Sequence, residues 1–163
     1  MNNGASTDLP TNLPTNLPTD LTQAADSTDL QQAIELMYFA YRTFTKEPDR
    51  LLEKRGLNRS HHRILYFVSR HDEVSVGQLL NILQISKQSL NQPLQQLVSM
   101  GMVLQKKSPT DKRVKLLRLS AKGRRLEQLL TLSQLDLLDS VAANISRNDF
   151  QAWLATMREL AAR

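Results

Sequence analysis

Three groups of side chains in this 163-residue chain have types and spacings that could do chemistry. The densest lies in "KKSPTDKRVKLLR" at 106–118, where Lys106, Lys107, Lys112, Arg113, Lys115 and Arg118 surround one carboxylate, Asp111. Cations at that density suit phosphate oxygens, because each contact releases a condensed counterion and fixes register without reading sequence. A second group, Ser86, Lys87, Gln88, Ser89, Asn91, Gln92, Gln95 and Gln96, is rich in amides and hydroxyls. Amides donate and accept together, which suits base edges in a major groove, adenine above all; the plainer reading is a solvated polar face. The third group is His61, His62 and His71. Adjacent side chains on a helix point about 100° apart, so only His62 could share a face with neighbours one turn away, and no metal site is expected.

The charge is unevenly placed. Residues 1–53 carry three Lys/Arg and eight Asp/Glu, net −5; residues 54–125 carry fifteen and three, net +12; residues 126–163 carry three and five, net −2. One basic module thus stands between two mildly acidic segments, a field suited to a polyanion such as nucleic acid or an anionic membrane surface. The chain has no cysteine, which excludes disulfides, thiolate catalysis and zinc sites with sulfur ligands. Neither paired carboxylates, a nucleophile beside a base nor a phosphate-cradling glycine loop is visible, so neither an enzyme nor a bound cofactor is expected. The amino terminus has no apolar signal core, and no run approaches the roughly 18 apolar residues of a membrane span. A soluble cytoplasmic protein with no membrane partner is the expectation.

The elements that must hold these groups follow from periodicity and caps. Residues 1–26 form a polar tail in which a four-residue Thr-Asn/Asp-Leu-Pro/Thr unit recurs at 11–14, 15–18 and 19–22, and Pro10, Pro14 and Pro18 oppose a regular helix. From Asp29 to about 46, Ile34, Met37, Tyr38, Tyr41 and Phe44 recur at helical steps, with Pro48 and Gly56 as punctuation. "RSHHRILYFVSRH" predicts a second helix burying Ile64, Leu65, Phe67 and Val68. "SVGQ" has the spacing of a capping box and opens a third, with Leu79, Leu80, Ile82 and Leu83 as its apolar face. Ser86 can cap a fourth, "SKQSLNQPLQQLVSMG", which puts Leu90, Leu94 and Leu97 inward and Lys87, Gln88, Asn91, Gln92 and Gln95 outward. Two short helices with a tight connection suggest helix-turn-helix. The strand-like runs "MVLQKK" and "RVKLLRL", bridged by "SPTD", then make a basic β-hairpin.

Beyond Ser120 the chain returns to long helices. One is rich in leucine (126, 129, 130, 132, 135, 137 and 138); the other, capped at Ser146, carries Phe150, Trp153, Leu154, Met157 and Leu160 on one side. Together with the first helix they bear more apolar surface than a small basic module can cover, which predicts a second copy of the chain as partner. The fold class is therefore mainly α with a small β-hairpin, a module at 56–120 and dimerisation helices at 29–46 and 121–162 within a domain of 27–163.

This order of elements resembles the MarR family of winged helix-turn-helix transcriptional regulators. The most specific match is "DKRVKLLRLSAKG" at 111–123: Asp, one residue, Arg, a Leu-x-Leu-Ser strand end, and Gly at the next helix start. The resemblance runs from Asp29 to the carboxy terminus. It implies that Arg113 reaches the minor groove and that Asp111 holds the tip of the wing; Lys106, Lys107, Lys112, Lys115 and Arg118 are then candidates for phosphate contacts. It also implies that the helix from Ser86 to Gly101 reads the major groove through Ser86, Lys87, Gln88, Ser89, Asn91 and Gln92. A small aromatic or anionic effector bound between the dimer helices and the DNA-binding module is implied too, and by location Tyr38, Tyr41, Arg42, His62 and Tyr66 could line that cleft. Two residues depart from the family pattern. Pro93 falls where an apolar helix former is usual, so a bend or tightened turn after Ser89 is expected; Gln92 stands where Arg is common. The expected function is sequence-specific binding of double-stranded DNA as a regulator, with repression relieved by a small ligand. The alternative is a winged-helix interaction module for protein or RNA.

Overall fold

Each described helix begins beside a side chain that accepts a hydrogen bond from its first turn, Asp26 Oδ1 taking the Thr28 N–H at 3.3 Å in the first, and these caps set the frame of the fold. The computed structural model describes residues 26–163, so the expected tail lies outside the described residues except for Asp26. After α1 (Ser27–Glu53), Asn58 caps α2 (Arg59–Ser69), Ser75 caps α3 (Val76–Leu83) and Ser86 caps α4 (Lys87–Ser99). Ser120 caps α5 (Ala121–Ala142) and Ser146 caps α6 (Arg147–Ala161). The four serine oxygens accept backbone N–H groups at 3.0–3.1 Å. The expected capping box is present, since Gln78 Oε1 in turn accepts the Ser75 N–H at 2.8 Å.

The sheet is larger than the expected hairpin. β2 (Val103–Lys107) and β3 (Lys115–Leu119) pair antiparallel, and a two-residue strand β1 (Val74–Ser75) adds to the free edge of β3, giving the order β1-β3-β2. Val74, Val103, Leu117 and Leu119 face the core, where Ile64, Leu65, Leu79, Leu90, Leu97 and Leu130 are also buried. Four expected core positions differ. Phe67, Leu80 and Leu83 are only half-buried and Ile82 is exposed, because the inward stripes of their helices centre on Leu65 and Leu79.

Two glycines hold the joint between α4, the sheet and α5. Gly101 adopts φ +67°, and the N–H groups of Gly101 and Met102 reach back to Val98 and Leu97 at 2.9 Å, closing the end of α4 in a Schellman turn. Gly123 packs on the Met102 carbonyl so closely that a Cβ would lie 2.1 Å from its oxygen. The glycine of the LSAKG sequence is therefore required by a close backbone approach.

α1 runs further than the expected 29–46. Pro48 lies inside it, although a proline in a helix interior costs about 3 kcal/mol in an ordinary setting. Thr45, Pro48 and Leu52 form a buried stripe, and that burial offsets the missing N–H. The described residues fall in two units, one ending at Met37 and one comprising Tyr38–Arg163. In the first, the described helical residues are all exposed, Ile34 at 71%. In the second, α6 has no buried residue, and Trp153, Met157 and Leu160 are exposed.

Candidate nucleic-acid interface

α4 divides into an apolar and a polar side as its periodicity requires. Leu90, Leu94 and Leu97 are buried, while Lys87, Gln88, Asn91, Gln92 and Gln95 are exposed and have no hydrogen-bond partner among the described residues. From Gln88 to Gln95 the polar row spans about 10 Å at 1.5 Å per residue. That is about three base-pair steps of 3.4 Å. Ser86 and Ser89 bond to each other at 2.9 Å as part of the cap, so their hydroxyls brace the start of the helix. The helix continues through Pro93 as α-helix from Lys87 to Ser99, with no interruption after Ser89. Gln96 turns inward: its Nε2 donates to the Gly56 carbonyl and its Oε1 meets His61 Nε2, each at 3.0 Å.

The tip of the wing is tied by its own side chains. Ser108 is buried; its hydroxyl bonds to Thr110 Oγ1 at 3.0 Å, and its N–H donates to the Val114 carbonyl at 2.9 Å. Asp111 Oδ1 accepts the Arg113 N–H at 2.9 Å, and the two carboxylate oxygens accept Nε and Nη2 of the Arg113 guanidinium at 3.2 Å each. Arg113 holds the Asp111 carboxyl below its ordinary value, first through the side-chain bonds and then through the backbone one. The pair is exposed, Arg113 at 90% for its side chain, so water screens it and its worth to the fold is small. Asp111 thus presents Arg113 outward at the tip.

The pleat sends the other cations to two faces. Lys107 lies directly opposite Lys115 across the hairpin, on the face that carries Leu117 and Val103 lower down. Like charges so placed repel, and neither lysine has an anionic partner among the described residues. Lys106 lies on the opposite face with Leu116, next to the line of Leu104 and Arg118. Its ammonium pairs with Glu73, just before β1. Lys106 is therefore partly neutralised within the chain, unlike Lys107, Lys112 and Lys115.

A cleft of about 380 Å³ opens between the second half of α1, α2 and α5. Tyr41, His62 and Tyr66 line it; of the other two residues expected there, Tyr38 is absent from its wall and Arg42 lines a separate surface groove along α1. Arg42 instead lies over the Phe39 ring, with its guanidinium 5.4 Å from the centroid. Arg59 is committed to Asp49 at 2.6 Å and to the Tyr41 hydroxyl at 3.2 Å, whereas Arg63 on the cleft wall has no ion-pair partner among the described residues. His62 Nε2 is buried without a hydrogen-bond partner. Burial lowers its pKa, opposed by the nearby Glu127 and Asp49 carboxylates. Glu127 itself is buried, accepting from Thr131 at 2.9 Å and pairing with Arg70 at 3.4 Å.

The family model described as MarR family matches residues 55–114. The HTH-type transcriptional regulator PetP of Rhodobacter capsulatus is 41% identical over 105 residues, 64% of this chain and 63% of that one. Over residues 55–114 the chain is similar to the MarR family. The match spans a little under two thirds of the length of PetP. Among solved structures, MarR of Staphylococcus aureus in complex with salicylate and kanamycin has a TM-score of 0.70 at 24% identity, covering 83% of this chain and 91% of that one. FabT of Streptococcus pneumoniae in complex with DNA has a TM-score of 0.71 at 16% identity, covering 82% and 96%. Both establish that the fold is the MarR winged helix.

Three features of this chain go beyond the expectations from its sequence. The Glu73–Lys106 pair joins residues far apart in sequence, and only the pairing of β1 with β3 reveals it. The His61–Gln96 contact likewise needs the packing of α2 on α4. Arg59 and Arg63 carry a legible signal, since both share the α2 face of His62 and Tyr66 at helical spacing.

Proposed function

We propose that this chain is a MarR-family, sequence-specific, double-stranded-DNA-binding transcriptional regulator that acts as a homodimer in the cytoplasm, with repression as its mode. The observation that carries this reading is the unpaired Lys107–Lys115 couple on a wing beside four unpartnered amides of α4. A phosphate relieves the repulsion, and base edges satisfy the amides. In this reading residues 56–120 bind DNA. Lys107, Lys112 and Lys115 contact phosphates, Arg113 enters a minor groove, and Gln88, Asn91 and Gln92 read bases. Ser86 and Ser89 brace the helix end, and Lys87 supplies its single cation.

Dimerisation rests on helices at 29–46 and 121–162, whose Ile34, Trp153, Met157 and Leu160 are exposed. PetP carries the name of a transcriptional regulator, and FabT was solved on DNA; both favour DNA over RNA or protein as the partner. Genomic footprinting of the bound protein tests the reading. Discrete protected sites with a common inverted repeat support it, and protection without sequence preference, or recovery of RNA alone, overturns it.

We further propose a small aromatic anion as effector of the cleft, its charge met by Arg63 and its ring by Tyr66. The salicylate complex of the S. aureus MarR structure favours that chemistry. Calorimetric titration with salicylate measures it: binding that is lost in Arg63→Ala supports the assignment, and equal heats for both proteins refute it.

A further inference from the structure

Among the buried polar groups that the proposed DNA contacts leave unused is His61, only 3% exposed at the start of α2. Its two ring nitrogens face different elements. Nδ1 lies 3.1 Å from the Asn58 backbone N–H in the α1–α2 turn, and Nε2 lies 3.0 Å from Gln96 Oε1 on α4. Gln96 Nε2 completes the set by donating to the Gly56 carbonyl at 3.0 Å. That carbonyl can only accept, so the Gln96 amide must turn its NH₂ to Gly56 and its oxygen to His61. Nε2 of His61 then carries the hydrogen, and Nδ1 is left bare to accept from Asn58. One carbonyl thus fixes both an amide rotamer and a histidine tautomer.

The consequence concerns α4. Gln95, on the outward row, and Gln96, on the inward clamp, are adjacent, and adjacent helical side chains differ by about 100°. Pinning Gln96 to the α1–α2 turn therefore fixes the rotation of α4 about its axis, and with it the direction of Gln88, Asn91 and Gln92. We propose that His61, acting through Gln96, is a positioning residue for the base-reading face of α4, and that it acts only as the neutral Nε2–H tautomer. The proposal rests on the DNA-binding reading above.

Protonation at Nδ1 keeps the Nε2–H bond to Gln96 but breaks the ring's hold on the Asn58 N–H of the α1–α2 turn. The new N–H opposes the Asn58 backbone N–H and turns to Asn58 Oδ1, 2.9 Å away, which already accepts from Ser60 N–H at 3.0 Å. The capping box of α2 loses its second bond. Burial holds the His61 pKa below its ordinary value, while the bonds to Gln96 and Asn58 raise it less. The neutral clamp is thus complete above the unfolded histidine value of 6.5 and is lost as pH falls below it through the depressed folded value. No charged side chain contributes to the shift of His61. The elements bonded to the His61 ring carry Lys54 and Arg55 in the α1–α2 turn and Lys87 on α4; its own helix carries Arg59, His62, Arg63 and Tyr66, and the facing α5 carries Lys122, Arg124, Arg125, Glu127, Asp136 and Asp139. Of these, Arg59 is taken by Asp49, and Glu127 by Arg70 and Thr131.

The test compares wild type, His61→Gln and Gln96→Ala on a duplex recovered by selection from a random pool, against a scrambled duplex. All three are measured at about pH 7.5 and in steps downward from there to the acid limit of the folded proteins. At the highest pH, Gln96→Ala is expected to lose about tenfold in affinity for the selected duplex and to keep its scrambled-duplex affinity. Acid is expected to reduce the wild-type preference, and to leave that of His61→Gln unchanged, which separates His61 from His62 and His71. Nitrogen NMR of the ring and the α4 amides supplies an arm without DNA: a neutral Nε2–H tautomer, and amide shifts at 88–95 in Gln96→Ala, are expected. A Gln96→Ala protein that keeps its full preference overturns the proposal, as does an Nδ1–H tautomer or α4 amides unmoved by the change. A selection that returns no duplex at all refutes the DNA-binding reading instead, and the NMR arm then decides the clamp alone.

Discussion

α4 and α6 are short amphipathic helices of 13 and 15 residues, each begun by a serine cap, yet they expose opposite faces. α4 hides its leucines under the module and offers amides; α6 buries nothing and offers Trp153, Met157 and Leu160. Unmade hydrogen bonds in water cost nothing until a partner removes the water, so α4 selects its partner by geometry. Exposed apolar area gains simply by being covered, at about 25 cal/mol per Å². The two helices are thus suited to different partners: base edges for α4, and an apolar surface such as a second copy for α6.

The largest expected effect breaks the α6 side. Trp153→Glu combined with Met157→Glu should convert the protein to a monomer and lower duplex affinity by at least about a hundredfold, since two linked half-sites bind far better than one. Sedimentation velocity reads the first outcome and duplex titration the second. A double variant that stays dimeric removes α6 from the interface.

A smaller effect sharpens the α4 and wing side. Glu73→Gln frees the Lys106 ammonium, so duplex affinity should rise several-fold and the salt slope should steepen by about one unit. Unchanged affinity and slope mean that the face of Lys106 and Arg118 lies away from the duplex.

What the sequence made legible follows from the range of each interaction. Caps at Ser75, Ser86, Ser120 and Ser146 are bonds to residues three positions on, so the spacing reveals them. The inward and outward faces of α4 follow from periodicity in the same way. β1 escaped notice because a two-residue strand has no period and exists only through its pairing with β3. Pro48 reads as a breaker in isolation, yet its burial in the stripe with Thr45 and Leu52 outweighs its local cost. His61 looks like one of a surface pair until the packing of α2 on α4 brings Gln96 to its Nε2. In the cleft, Tyr41, His62 and Tyr66 were placed by their helices, but Arg42 was not, because its guanidinium lies over Phe39.

The central claim is that the wing and α4 grip duplex DNA through phosphates, with Arg113 at the tip. A salt titration of wild type and Arg113→Ala on one duplex, with and without an A·T-rich flank, tests it most directly. For wild type, the logarithm of affinity should fall linearly with the logarithm of salt concentration, with a slope of several units. Arg113→Ala should lose the preference for the A·T-rich flank and about one unit of slope, since a narrow minor groove attracts an inserted arginine. A flat salt dependence in wild type, or an Arg113→Ala protein with both affinity and flank preference intact, contradicts the account.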